Sequence, residues 1–202
     1  MRSYAGAAAL AAFGVRAWRG TLDDVEGLRD AVAAADGVIH TAFDYDFSRY
    51  AANCQQDRRA IEALGAALKG SNRPLIVTSG MVLDVQGRPA TEADVTFPLS
   101  PAYPRASEHV ASALVARGVN ASVVRLPPSV HGEGDHGLVP MMIGFARTKG
   151  WRRLSTMAPT AGRRCIAWTL RACFVWRSSA PPRARAITPW PRRASRSATS
   201  QR

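Results

Sequence analysis

Asp36-Gly37-Val38-Ile39-His40-Thr41-Ala42 decides the fold. Asp36-Gly37 stops a helical stretch, and the run from Val38 to Ala42 is nearly continuous in small and apolar residues, which marks a strand buried on both faces. Upstream, Thr21 and Asp24 stand at capping-box spacing, and Leu22, Val25, Leu28 and Val32 fall on one stripe of an amphipathic helix. Downstream, Ser48 to Lys69 returns to helical spacing with Ile61, Leu64 and Leu68 on the buried side, and Gly70-Ser71-Asn72 closes it. Leu75-Ile76-Val77-Thr78 is a second buried strand. A loop rich in Pro, Asp and Thr runs from Gly80 to Pro104, longer than a simple connector needs. Ser107 to Ala116 is helical, Gly118 breaks it, and Ala121 to Leu126 is a third β-branched strand ended by Pro127-Pro128, which cannot donate to a ladder. Leu138 to Thr148 is a last helical stretch, and Arg16 to Arg19 suits one more short strand. Strands alternating with helices at this spacing predict a parallel sheet in an α/β layered domain.

The chain has 202 residues, 27 Lys plus Arg against 15 Asp plus Glu, and a net charge of +12. Residues 1–150 are balanced, with 15 basic and 15 acidic side chains, whereas residues 151–202 carry 12 Arg, no Lys and no acid. The pI near 11.0 therefore describes a tail on a neutral globular segment, and the two parts read as separate units. No apolar run reaches the roughly 18 residues that cross a bilayer, which argues against membrane spanning. Ala5 to Val15 is too Ala-rich for the apolar core of a signal peptide and reads as the end of a helix. Cys54, Cys165 and Cys173 are odd in number and lack Cys-x-x-Cys spacing, so neither a disulfide framework nor a zinc site is indicated, and the cytoplasm is the expected compartment.

Ligands of doubly wound sheets lie at the carboxyl ends of the strands. Those ends here are His40-Thr41-Ala42, Thr78-Ser79-Gly80 and Pro127-Pro128-Ser129, a cluster of small and hydroxyl-bearing residues. With Arg19-Gly20-Thr21-Leu22-Asp23-Asp24 before them and Arg125-Leu126-Pro127-Pro128-Ser129-Val130-His131-Gly132 at the end, the series resembles the extended branch of the short-chain dehydrogenase/reductase superfamily, the NAD-dependent epimerase/dehydratase-like group. The match runs over roughly residues 5 to 150. It implies a partial Rossmann-type doubly wound sheet lacking its first two strands, NAD or NADP as cofactor, and a small-molecule substrate reacting at a CH-OH carbon. It also implies Ser79 and Tyr103 as catalytic residues, with Thr21, Leu22, His40, Thr41, Ala42, Thr78, Pro127, Pro128 and Ser129 at the cofactor.

Departures from that pattern are as informative. The Gly-x-x-Gly-x-x-Gly turn that lets a pyrophosphate approach a helix N-terminus is not in this sequence. Asp57 stands where the family usually has Asn. Tyr103 is followed four residues later by Ser107, and Glu108 takes the place of the Lys that lowers the tyrosine pKa, so enzymatic activity is an open question at this level. An ungapped match sets Gly80 at the catalytic hydroxyl, with Ser79 ranked first and Thr78 second as substitutes. Losing the first two strands would leave Val38 to Ala42 as an open apolar edge, which suits a homo-oligomer, a partner-binding module or a non-catalytic remnant.

Other groups have plainer readings. His131-Gly-Glu133-Gly-Asp135-His136 collects metal-ligand types on a Gly-rich loop with nothing to fix their geometry, and no metal is expected. His40 also reads as a hydrogen-bonded core residue, and Phe43, Tyr45 and Phe47 read as a pocket lining or as satellites of the core. Four of the five Trp lie in residues 151–202, which suits either a basic arm for nucleic acid or a translated alternative frame. Taking codons from the third base of each over Met157 to Thr169 allows Gly-Ala-Asn-Arg-Trp-Pro-Ala-Val-His-Arg-Leu-Asp, which resembles the family's next segment. A frame change near Gly150 and a tail without fixed structure are therefore the favoured reading, and nucleic acid is not favoured as a partner.

Overall fold

The computed structural model describes residues 3–80, 85, 88, 90–127, 129–134, 138–149, 164–179 and 186–187. Helix α1 (Tyr4–Ala12) is capped by Ser3 and buries none of its side chains. Helix α2 (Val25–Ala33) starts at Asp24, whose carboxylate accepts from Gly27 N at 3.0 Å. Thr21, the expected partner in that cap, contributes only its carbonyl, which accepts from Asp24 N. Asp is the stronger cap of the two and sits directly before the apolar stripe. Strand β1 (Val38–His40) follows, then a 3-10 turn over Phe47–Arg49 and the long helix α3 (Tyr50–Leu68). Strand β2 (Leu75–Gly80), helix α4 (Ser107–Ala116) and strand β3 (Ala121–Leu126) complete the part that holds the core.

These strands pair in parallel, with Val38 opposite Leu75 and Leu75 opposite Ala121. In-register residues share a face, so Val38, Leu75, Val77, Ala121 and Val123 lie over Leu28 and Val32 of α2, Ile61, Leu64 and Leu68 of α3, and Val110, Ala111 and Leu114 of α4. Helices α3 and α4 meet closely, because a side chain at Gly65 would collide with Leu114. Gly118 ends α4 with φ +82°, a left-handed geometry that costs a glycine nothing. Arg73 fastens the bottom of this layer, its guanidinium donating to the carbonyls of Val32, Ala35 and Ala67 at helix ends.

Beyond β3 come β4 (Ser129–His131), α5 (Leu138–Lys149), β5 (Arg164–Ile166), α6 (Ala167–Ser179) and β6 (Ala186–Ile187). Strand β6 extends the main sheet to the order β1-β2-β3-β6, while β4 and β5 form a two-stranded sheet of their own. Residues 151–202 therefore include two short strands and a helix, and the remainder of that segment lies outside the described residues. Arg16 to Arg19, expected as a strand, has no regular structure. Among the described residues β1 closes the sheet, and its outer edge is unpaired. No helix among the described residues is long and apolar enough to cross a membrane.

Candidate functional site

The apolar layer gives way to a polar one at the carboxyl ends of the strands. His40 pairs in register with Val77, and Ser79 with Arg125, so His40, Ser79 and Arg125 continue the face that packs on α3 and α4. Burying polar groups is costly unless they are partnered. His40 Nε2 is 2.7 Å from Asp57 Oδ1, and Ser107 Oγ donates to Asp57 Oδ2 at 2.6 Å. Arg105 Nε donates in turn to Ser107 Oγ at 3.0 Å. Asp57 is 1% exposed and His40 5%, so this row runs from the end of β1 through the interior to the loop before α4. With Asp57 Oδ1 as the acceptor, the imidazole presents an Nε2–H to it.

A second buried pair lies beside the first. Glu108 receives both Nε and Nη2 of Arg125, and the same guanidinium donates to the carbonyls of Thr91, Glu92 and Asp94. Glu108 thus holds a buried arginine instead of standing beside Tyr103 as a lysine would. Arg125 in turn pins the loop at residues 91–94. Within that loop the Asp94 carboxyl is held well below its ordinary range, first by Arg88 and then by the Thr91 amide.

Ser79 is 8% exposed, and among the described residues its hydroxyl reaches only the carbonyl of Gly80, at 3.4 Å. Thr78 donates to the carbonyl of His40 at 3.0 Å and ties the ends of β1 and β2 together. Thr41 and Ala42 follow β1 and are exposed, and Pro127 after β3 is buried. Ser129 opens β4, opposite Arg164, and Pro128 lies outside the described residues. Thr21 and Leu22 stand on the turn before α2 and share no hydrogen bond with the strand ends among the described residues. Tyr103 is 45% exposed and lies flat on Phe97, with ring centroids 4.7 Å apart.

Phe43, Tyr45, Phe47 and Tyr50 form an aromatic cluster above α3, with Phe43 and Tyr45 meeting edge to face at 5.2 Å. Asn53 supports it by donating to the carbonyls of Asp44 and Asp46. Beneath it, burial pushes the Tyr50 hydroxyl and the Cys54 thiol above their ordinary values. Ser48 holds the Asp46 carboxyl low. Sequence reasoning did not anticipate the pairing of Asp57 with His40 and Ser107, nor the role of Arg105. One signal was present: Asp57 falls on the stripe of Cys54, Ile61, Leu64 and Leu68, where an acid needs a buried partner. The Gly-rich loop after β4 includes Asp135 and His136, which lie outside the described residues, and among the described residues no cluster of metal-ligating side chains forms.

No family model matches the chain. It is 46% identical over 151 residues to an uncharacterised protein of Schizosaccharomyces pombe, covering 74% of this chain and 51% of that protein. A second uncharacterised protein, from Saccharomyces cerevisiae, is 39% identical over 132 residues, covering 65% of this chain and 44% of that one. The chain spans about half the length of the curated relatives it matches. Among solved structures, UDP-glucose 4-epimerase of Thermus thermophilus in complex with NAD superposes with TM-score 0.65 at 19% identity, over 87% of this chain and 63% of that one. The dTDP-glucose 4,6-dehydratase of Streptomyces venezuelae with NAD bound gives TM-score 0.63 at 18% identity, over 83% and 55%. UDP-N-acetylglucosamine 4-epimerase of Bacillus cereus gives 0.60 at 14%, over 90% and 72%. The fold is a partial Rossmann fold. Its parallel strands and flanking helices are those of NAD-binding epimerases and dehydratases, which places the polar layer at the end of the sheet where such folds carry their ligands.

Proposed function

We propose that this chain is the NAD(P)-binding part of an oxidoreductase or epimerase acting on a CH-OH carbon of a small molecule. The observation that carries the reading is the set of adjacent strand ends, where Thr78 bonds the carbonyl of His40 and Ser79 stands in register with Arg125. Thr41 and Ala42 are exposed beyond β1, Gly80 ends β2 half-buried and without a side chain, and Pro127 closes the third end. That lining fits the nicotinamide end of a dinucleotide. The Gly-x-x-Gly-x-x-Gly turn that would fit its pyrophosphate is absent from the sequence.

Thr41, Ala42, Thr78 and Pro127 would wall the ring, with Ser129 beyond them. A bound dinucleotide would supply the hydride acceptor or donor. Ser79, with one long hydrogen bond to its neighbour's carbonyl, has a hydroxyl to offer the oxygen of the reacting carbon. Tyr103 would be the group that moves the proton, and it would do so without a lysine, since Glu108 is committed to Arg125.

A second reading, a module that binds a partner or another copy through its sheet edge, is favoured by β1. Among the described residues that strand pairs only with β2, and its Ile39 is 47% exposed.

Titration of the purified chain with NADH and NADPH, following nucleotide fluorescence and thermal melting together, separates the two. A saturable signal with a raised melting point is the expected result and decides between NAD and NADP. A cooperative melt that ignores both nucleotides overturns the enzyme reading, and a concentration-dependent oligomer in the same sample then supports the edge.

A further inference from the structure

Arg105 is the one member of the buried row whose charge is not spoken for. Its Nε is engaged by Ser107, which is itself held by Asp57, so the root of the guanidinium is fixed from the interior. Its plane lies over the ring of Phe43, with Cζ 4.2 Å from the centroid. Those two contacts settle the position and the face of the group. The two Nη atoms make no hydrogen bond among the described residues, and the side chain forms no ion pair there.

The acids nearby do not neutralise it directly. Asp57 is turned to His40 and Ser107, Asp46 accepts from the amide and hydroxyl of Ser48, and Asp44 accepts from the amide of Asp46. Glu108, three residues further on, is bound to Arg125. A guanidinium left with its fork free would normally turn into water. This one is half-buried, laid on an aromatic face and anchored at its root.

A planar fork presented end-on, with its side chain already ordered, is the arrangement that grips a carboxylate or a phosphoryl group through two parallel hydrogen bonds. Ordering the side chain beforehand removes an entropy cost that a free surface arginine would bear on binding. The surroundings narrow the ligand further. Phe43, Tyr45 and Tyr50 gather beside the guanidinium, and Tyr103 lies two residues before it.

We propose that Arg105 is an anion-binding residue of the substrate site, and that the substrate is a small molecule carrying a carboxylate or phosphoryl group next to an apolar or planar body. The identification of that anion as the substrate's own rests on the proposed function; the anion site itself does not.

The test uses benzoate and phenyl phosphate as probes with benzyl alcohol as the neutral control, titrated into the full chain without nucleotide and followed by tyrosine fluorescence and NMR line shifts. The expected result is saturable binding of at least one anion and none of the alcohol, with affinity falling at least threefold in Arg105→Gln. A preference for benzoate assigns the carboxylate and a preference for phenyl phosphate assigns the phosphoryl group. Arg105→Lys keeps the charge but loses the planar fork, and it too should bind at least threefold more weakly, which keeps the test valid if Arg105→Gln fails to fold. Absence of binding by either anion to the folded chain, or unchanged affinity in the folded variants, overturns the proposal. NADH titration of Arg105→Gln keeps the two readings apart: failure of the nucleotide to bind leaves the anion result standing, and failure of the anions leaves the nucleotide result standing.

Discussion

Helices α3 and α5 are both rich in apolar residues, yet they meet very different surroundings. Helix α3 is 19 residues long and buries nine of them, from Asn53 to Leu68. On α5, Met141, Met142, Ile143 and Phe145 are between 41% and 61% exposed. Helix α3 lies against α2, α4 and β2, whereas α5 touches β4, a strand of three residues in a two-stranded sheet. An apolar stripe becomes a core only where the layer beneath it is wide enough to cover it. The stability of this chain therefore resides in β1 to β3 with α2 to α4.

The largest expected effect tests whether the polar layer belongs to that stable half. Arg125 is 2% exposed, and Glu108→Ala leaves its guanidinium without a counter-charge, though still bonded to three carbonyls. Breaking a buried pair from one side costs about 3–5 kcal/mol. Urea unfolding should show the midpoint falling accordingly at an unchanged slope. A loss below about 1 kcal/mol would mean that the loop at residues 91–94 lets water reach Arg125.

A smaller pair of changes addresses the two helices directly. Ile61→Val removes one methylene from a fully buried site on α3 and should cost about 0.5–1.5 kcal/mol. Phe145→Ala removes a much larger group from α5, where the ring is 61% exposed, and should stay within about 0.5 kcal/mol. Equal losses would show that α5 is covered in solution by something that the fold of β1 to β3 does not supply.

How much of this was legible in the sequence follows the same division. Helix α4 and strand β3 could be read to the residue, because Gly118 and Pro127 punctuate them and their patterns repeat locally. Strand β1 stopped at His40 instead of Ala42: β2 runs on to Gly80, but the pairing ends at His40 and Val77, where the His40 carbonyl accepts from the Thr78 hydroxyl. Arg16 to Arg19 formed no strand, and among the described residues nothing pairs with the outer edge of β1. Of the candidate site, the strand ends were legible from position alone. The bonds of Asp57 to His40 and Ser107 were not, as they join residues 17 and 50 apart. Composition cannot show which acid meets which base across three elements. The exchange of Lys for Glu108 was visible as a departure, but only the bonds from Arg125 to its carboxylate show what Glu108 does instead.

The smallest expected effect is electrostatic and concerns the inner side of α3. Burial raises the Cys54 thiol and the Tyr50 hydroxyl above their ordinary values. Both groups are neutral in the folded chain and in the unfolded chain near neutrality, so they make stability independent of pH there. Above about pH 8.5, where an unperturbed thiol ionises, the unfolded chain releases a proton that folded Cys54 retains. The folded state then binds more protons than the unfolded one, and stability falls as pH rises toward the raised value in the fold. Melting temperatures measured from neutral to alkaline pH should decline beyond that point, and Cys54→Ala should flatten the first part of the decline while Cys165 and Cys173 remain in both proteins. An unchanged slope in Cys54→Ala would place the alkaline loss elsewhere and would show that water reaches the thiol through the aromatic cluster above it, making that half of the molecule less closed than its burial implies.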